Sequence, residues 1–249
     1  MKNIAIILAA GKGKRMKTNT PKQFLNMGGE PMLVKCVRVF EESNVIDEIV
    51  LVCSEKHKDE CKKLTKGFRK VKSLVIGGKE RYDSVYEGLK ACRNCRYVFI
   101  HDAARPYVTT EILNRVYQAV KEFPACVVGM PVKDTIKVVD GDGFVTMTPD
   151  RAHVWMTQTP QVFRYDLVKE SYDIMMKRGV KGFTDDAAVV EAAGLSRVKL
   201  VEGSYDNIKI TTSDDLDEDG DVKVKAAKEE KAAKEDKAKK ADKKDKKKK

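Results

Sequence analysis

Residues 4–16 read Ile4-Ala5-Ile6-Ile7-Leu8-Ala9-Ala10-Gly11-Lys12-Gly13-Lys14-Arg15-Met16, a short apolar run that breaks into glycines and cations. A continuous apolar run of this length is the composition of a strand buried on both faces of a parallel sheet. Small residues after it, Gly11 and Gly13 among them, let backbone N–H groups close around phosphate oxygens, and the cations add charge. The loop is not a Walker A, which ends in Gly-Lys-Ser or Gly-Lys-Thr. Nor is it G-x-G-x-x-G, since Met16 stands where the last glycine belongs. The apolar run is also too short for a signal peptide and meets the basic loop with no cleavage-like site.

Outward from this stretch the pattern repeats. Further short apolar, β-branched runs occupy 48–52, 72–76, 97–101 and 125–131, and between them 32–43, 56–66, 83–91 and 110–122 have helical spacing and polar starts. Strands alternating with helices predict an α/β fold, a mostly parallel sheet with helices on both faces and ligands at the carboxyl ends of the strands. After Pro131 the rhythm changes. Residues 135–139, the turn Asp140-Gly141-Asp142-Gly143 and residues 144–147 predict a β-hairpin, an arm projecting from the sheet. Helices over 165–178 and 185–193 follow, then strands near 199–201 and at 207–211.

From Asp217 the chain turns into Lys, Ala, Glu and Asp in low-complexity order, which sets a domain over 1–221 and a tail over 222–249. The net charge of +11 belongs mainly to that tail, which holds 14 Lys and 6 acids and leaves 35 basic against 32 acidic residues in 1–221. The tail has nothing apolar to bury and reads as disordered. It lacks aromatic residues to stack on bases and intersperses acids among its lysines, which argues against nucleic acid as a partner. Of the six cysteines, Cys36, Cys53, Cys61, Cys92, Cys95 and Cys126, most sit in apolar or helical runs without paired spacing, a pattern suited to a reducing cytosol. Cys92-x-x-Cys95 has no second pair to complete a zinc site. No run reaches the roughly 20 apolar residues of a membrane-spanning helix, so a cytoplasmic protein without a membrane partner is expected.

Other motifs also follow strands. Thr20-Pro21-Lys22-Gln23 brings a second cation near the first loop. Gly77-Gly78-Lys79-Glu80-Arg81-Tyr82-Asp83-Ser84-Val85 opens a helix, where backbone amides and Ser84 are placed to read a base edge; Asp83 or Ser84 would also serve as N-cap. The run 97–100 delivers His101-Asp102-Ala103-Ala104-Arg105-Pro106. An acid at a strand end holds a hard cation such as Mg²⁺ through oxygen. Arg105 reads either as an ion-pair partner of Asp102 or as a substrate ligand. Lys133-Asp134-Thr135, Asp150-Arg151 and Thr157-Gln158-Thr159-Pro160-Gln161 add polar groups. Lys209 alternates with Ile208 and Ile210 and so faces away from them.

In order along the chain, A-A-G-x-G-x-R-M, P-K-Q, G-G-x-x-R-x-x-S-V, H-D-A-A-R-P, K-D-T, T-P-Q, T-D-D-A and D-N-I-K-I-T-T closely resemble the 2-C-methyl-D-erythritol 4-phosphate cytidylyltransferases, from about residue 4 to 216. The resemblance implies a Rossmann-like nucleotidyltransferase fold, a homodimer clasped by β-arms, and CMP transfer from CTP to the phosphate of a sugar alcohol with release of pyrophosphate. It makes Arg15 and Lys22 the cations of the pentavalent transition state, and has Arg151 and Lys209 position the acceptor phosphate. Ala9, Ala10, Gly78 and Ser84 fall to the cytidine, Asp102 and neighbouring Ala103 to the ribose and Mg²⁺ region. Thr135, Thr159 and Thr184 fall to the acceptor pocket, with Thr135 and Arg151 on or beside the arm. An anionic nucleophile needs cations and positioning more than a general base, so His101 and His153 read as structural. Ser213 replaces the usual proline, and 217–221 with the lysine tail replace the usual last helix. Ribitol 5-phosphate as acceptor, a uridylyl or guanylyl transfer, and polyanion binding through the tail are the alternatives.

Overall fold

The computed structural model describes residues 1–11, 13, 16, 20–217 and 222. Arg15 and the tail from 223 onward, with the disorder expected there, lie outside the described residues.

The opening run forms β1, Lys2–Ala9, with Ile4 and Ile6 packed on one face and Ala5, Ile7 and Ala9 on the other. Successive strand residues point to opposite faces, so a run apolar at every position needs cover on both sides. On one face that cover is α1 (Met32–Glu42), α2 (Lys58–Thr65) and α4 (Thr110–Glu122), through Phe40, Cys61 and Val116. On the other it is α3 (Arg81–Ala91), α5 (Tyr165–Lys177) and α6 (Asp186–Ala193), through Leu89, Tyr172 and Val190. All six cysteines are buried, unpaired thiols.

The remaining strands are β2 (Glu48–Cys53), β3 (Val71–Ile76), β4 (Cys95–Asp102), β5 (Ala125–Pro131), β6 (Val138–Val139), β7 (Val145–Met147), β8 (Trp155–Arg164) and β9 (Lys199–Glu202). Seven make one sheet in the order β3-β2-β1-β4-β8-β5-β9. Its pairs are parallel except those of β8, which runs antiparallel to both β4 and β5. The mostly parallel sheet with helices on both faces is therefore observed, with β1 and β4 adjacent where the strand order reverses.

Two expectations fail. Thr157-Gln158-Thr159-Pro160-Gln161, read as a source of polar groups, lies inside β8, the longest strand of the sheet, with Gln158 and Gln161 drawn into the interior. Those side chains are buried and bonded: Gln158 Nε2 donates to Ser204 O at 2.7 Å, and Gln161 Nε2 to Asp185 Oδ2 at 3.0 Å. The Thr159–Pro160 peptide bond is cis. Conversely 207–211, read as a strand from its alternation, is irregular, because its backbone pairs piecemeal; Ile210 N donates to Ala104 O at 2.8 Å and Ile208 N to Asp206 O at 2.7 Å.

β6 and β7 pair as a separate two-stranded ribbon, the expected arm. Asp140 shapes its turn by accepting from Asp142 N and Phe144 N at 3.0 and 2.9 Å. At the other end, Val222 belongs to the folded part. It is 1% exposed, packs with Met16, Leu25, Met27, Met32, Ile210 and Leu216, and donates its N–H to Asn26 O at 2.9 Å.

Candidate active site

A cavity of about 530 Å³ opens at the carboxyl ends of β1 and β4, the place where an α/β sheet with this reversal leaves a crevice. The parallel register sets Leu8 beside Asp102, and Ala103 N donates to Leu8 O at 3.1 Å. Ala9, Ala10, Gly11 and Gly13 line one side and Asp102, Ala103 and Ala104 the floor. Gly78, Lys79, Glu80, Arg81 and Ser84, where α3 begins, form the facing wall. A side chain at Gly77 would bring its Cβ 2.7 Å from both the Ala10 Cβ and the Ser84 Oγ; only glycine lets this turn close onto the first loop. The cap of α3 is Glu80, in a reciprocal box with Asp83, rather than Asp83 or Ser84; Ser84 Oγ donates to Glu80 O at 3.1 Å.

Lys22 and Lys209 come from segments 187 residues apart and both line the cavity. Lys22 lies in the 3-10 turn Lys22–Phe24, and its Nζ donates to Ile210 O at 3.2 Å, next to Lys209. Gln23, buried behind it, donates to Ala9 O at 3.0 Å and ties the turn to the first loop. Lys209 turns away from buried Ile210, as its alternation predicts, although no strand carries it. Its Nζ lies 2.7 Å from Asp102 Oδ2, and Arg81 Nε donates to Asp102 Oδ1 at 2.9 Å. Burial alone would raise the pKa of Asp102, but Arg81 and Lys209 outweigh it and hold the carboxyl well below the usual carboxylate range. Asp102 is thus a fixed anion with no proton to give or take at neutral pH.

Behind Asp102 stand Thr159 and His101. Thr159 Oγ1 accepts from Asp102 N at 3.1 Å and lies 3.0 Å from His101 Nδ1. His101 Nε2 is 3.1 Å from Arg105 O, a carbonyl that only accepts. Nε2 therefore carries the proton, and the Thr159 hydroxyl donates to Nδ1. Burial pushes the His101 pKa down to about 4, so the imidazole stays neutral, which suits the structural role read from the sequence.

Of the residues the sequence nominates, Ala9, Ala10, Gly11, Gly13, Lys22, Gly78, Ser84, Asp102, Ala103 and Lys209 converge on the cavity. The others do not. Thr159 is 5% exposed and committed to His101 and Asp102, a support rather than a lining group. Arg105 neither pairs with Asp102 nor lines the cavity: Nη1 donates to Asn207 O at 2.8 Å and Nη2 to Thr157 O at 3.3 Å. Thr135 and Thr184 are exposed, as is Arg151, whose Nη1 donates to Lys133 O at 3.1 Å at the base of the arm.

The main omission is Arg81, quoted within its motif without a role, and with it Asp186. Arg81 donates from Nη1 and Nη2 to the two oxygens of Asp186 at 3.0 and 2.9 Å. The two lie 105 residues apart. Their signal is an Arg after one glycine turn and the second Asp of T-D-D-A, but pairing across that distance is not written in either motif.

Small loops and a fixed anion between two cations at a sheet's switch point make a nucleotide site, and the family comparison says which. The family described as IspD, 2-C-methyl-D-erythritol 4-phosphate cytidylyltransferase, matches residues 3–219. The chain belongs to that family. A relative named 2-C-methyl-D-erythritol 4-phosphate cytidylyltransferase from Lachnospira eligens is 44% identical over 218 residues, 86% of this chain and 96% of that protein. The enzyme of the same name from Alkaliphilus oremlandii is 45% identical over 219 residues, 86% and 92% of the two chains. The crystal structure of 4-diphosphocytidyl-2C-methyl-D-erythritol synthase from Anaerococcus prevotii superposes with a TM-score of 0.77 at 32% identity, covering 86% of this chain and 94% of its own. This cytidylyltransferase is thus mixed α/β like its relatives. Among its described residues no helix is long and apolar enough to cross a membrane.

Proposed function

We propose that this chain transfers CMP from CTP to 2-C-methyl-D-erythritol 4-phosphate, giving 4-diphosphocytidyl-2-C-methyl-D-erythritol and pyrophosphate. The observation that carries the reading is the convergence of Lys22 and Lys209 on the cavity around Asp102, in a chain of this family. An oxygen of the acceptor phosphate attacks the α-phosphorus of CTP. The bond from that phosphorus to its bridging oxygen breaks, and pyrophosphate leaves with the electron pair. The nucleophile is already an anion, so no residue has to remove a proton, and the enzyme's part is orientation and charge. Lys22 faces the reacting phosphate as it gains charge, with Arg15 assigned beside it by family resemblance. Lys209, steered by Asp102, places the acceptor phosphate. Ala9, Ala10, Gly78 and Ser84 hold the cytidine between the first loop and the start of α3. Arg105, Thr135, Thr159 and Thr184 keep only the assignment the resemblance gives them.

Mg²⁺ fits as a metal carried in on the nucleotide. No group of three His, Cys, Asp or Glu side chains able to hold a metal is found among the described residues, so Asp102 would supply one oxygen and phosphates and water the rest, the usual arrangement for Mg²⁺. The metal would neutralise charge on the triphosphate. A homodimer through the arm is supported by exposed apolar side chains on it, Phe144 at 72%, Val145 at 57% and Met147 at 55%, a surface that calls for cover. The partner's Thr135 and Arg151 would then approach this site. Six free thiols are consistent with a cytoplasmic enzyme.

Pyrophosphate release tests the reading, with CTP beside methylerythritol phosphate and, separately, ribitol 5-phosphate. Turnover with the first and at least about a hundred-fold less with the second is expected, because a site built around an acceptor's hydroxyls discriminates strongly. The reverse preference would overturn the acceptor; no turnover with either would overturn the transfer.

A further inference from the structure

Asp186 is 0% exposed, a full charge at the first turn of α6, and nothing in the reaction as described uses it. Its carboxylate is nevertheless bound three times. Arg81 forks onto both oxygens at 3.0 and 2.9 Å, and Tyr172 of α5 donates its hydroxyl to Oδ1 at 2.6 Å. The backbone of Asp186 is pinned as well: its N–H and that of Ala187 both donate to Gln161 Oε1 at 2.9 Å. Gln161 sits on β8, hydrogen-bonded beside the β4 strand that ends in Asp102. The support for Asp186 and the strand presenting Asp102 are one sheet.

From Asp186 an unbroken line reaches the cavity. Arg81 has its fork on Asp186 and gives its Nε to Asp102 Oδ1 at 2.9 Å, while Lys209 Nζ holds the other oxygen of Asp102 at 2.7 Å. A guanidinium is planar, so the fork on Asp186 fixes the direction of Nε. Nε then fixes one oxygen of Asp102, and the other oxygen sets where the ammonium of Lys209 lies. Lysine needs such help, being a point charge on a flexible stem. Arg81 lines the cavity, yet its charge is compensated by two carboxylates, which leaves it poorly suited to bind a phosphate of its own.

We propose that Arg81, Asp186 and Tyr172 are positioning residues for the transfer, acting through Asp102 on Lys209 to place the acceptor phosphate. The proposal rests on the reading that Lys209 places that phosphate. Tyr172→Phe and Asp186→Asn, each alone and each combined with Lys209→Ala, test it through kcat and KM for CTP and for methylerythritol phosphate. Asparagine sets an N–H against a guanidinium N–H, and phenylalanine removes one hydrogen bond. Acceptor kcat/KM should fall about thirty-fold for Asp186→Asn and about five-fold for Tyr172→Phe, with the KM for CTP within about two-fold, as expected when a hydrogen bond to a charged group is lost. In the Lys209→Ala background the further loss should shrink below about two-fold, since residues acting through one group are not additive. Equal losses in both backgrounds, an equal rise in the KM for CTP, or unchanged acceptor kinetics would overturn the proposal. Removing one partner of a buried ion pair can unfold a protein. If Asp186→Asn does so, Tyr172→Phe decides alone, because it keeps the ring stacked on Tyr86. A Lys209→Ala enzyme with unchanged acceptor kinetics sinks the reading of Lys209 and the relay together. A slow Lys209→Ala with fully multiplicative second losses sinks the relay only.

Discussion

The wall around Asp102 and the ribbon carrying β6 and β7 are assigned to one reaction but built on opposite terms. In the wall, Asp102, His101, Thr159 and Asp186 are all buried, with Asp102 the most exposed at 7%, and are held by named hydrogen bonds. On the ribbon, Val138, Val139, Phe144, Val145 and Met147 are between 40% and 72% exposed, and Arg151 donates to the Lys133 carbonyl at its base. A site that must stabilise charge without moving gains from dipoles fixed in advance, whereas a surface that meets a second molecule has to stay uncovered until it does. The residues around Asp102 gather in one cavity of a single chain; Thr135 and Arg151, assigned to the acceptor by family resemblance, stand exposed and apart from that cavity.

The sharpest way to break the wall is at Lys22, which reaches the cavity from a turn pinned by Gln23 on Ala9 and by its own bond to Ile210 O. Lys22→Ala should lower kcat by about 10²–10³, the usual cost of one donor to a developing anion, with little change in KM for CTP. Steady-state rates beside a thermal melt check it. A kcat within a few-fold of the parent would remove Lys22 from the transition state.

The wall was also the more legible half, for a physical reason. Ile4 to Ala9 is apolar on both faces, and Gly77 and Asp102 stand where strands end, so short-range pattern alone put them in one crevice. What pattern could not reach were polar residues used as buried structure. Gln158, Thr159 and Gln161 look like loop chemistry until Ser204, Asp185 and the start of α6 are seen to satisfy them. Asn207 to Thr211 alternates like a strand, but its backbone bonds go to Asp206 and Ala104, which lie outside the strands. Arg81 and Asp186 were each in a quoted motif, and only the fold brings the two motifs together.

A smaller effect separates wall from ribbon by acidity. His101 is held neutral with a pKa near 4 against 6.5 in an open chain, so between those values the unfolded chain binds a proton that the native one refuses. Its contribution is full above about pH 6.5 and is lost as pH falls toward 4, on the order of 3 kcal/mol in all. Denaturant unfolding without added divalent cation should show stability falling over that window, and His101→Gln should flatten the slope while lowering stability at pH 7. Equal slopes in the two proteins would mean that another group titrates there. Asp102, depressed instead from the carboxylate range, adds its own loss only below about pH 4.

The ribbon should answer to none of this. Phe144 is 72% exposed, so Phe144→Asp should leave unfolding free energy within about 0.5 kcal/mol of the parent, as exposed substitutions do. A charge at the centre of an apolar contact between two ribbons would instead part the subunits, read as a fall from dimer to monomer mass by sedimentation. If the partner's Thr135 and Arg151 serve this site, acceptor kcat/KM should drop by about ten-fold, the loss of roughly 1.4 kcal/mol of placement, while the KM for CTP stays put because the residues gathered around Asp102 come from a single chain. A monomer with full acceptor kinetics would show that one chain suffices, and the division between a finished wall and an unfinished ribbon would then be one of stability alone.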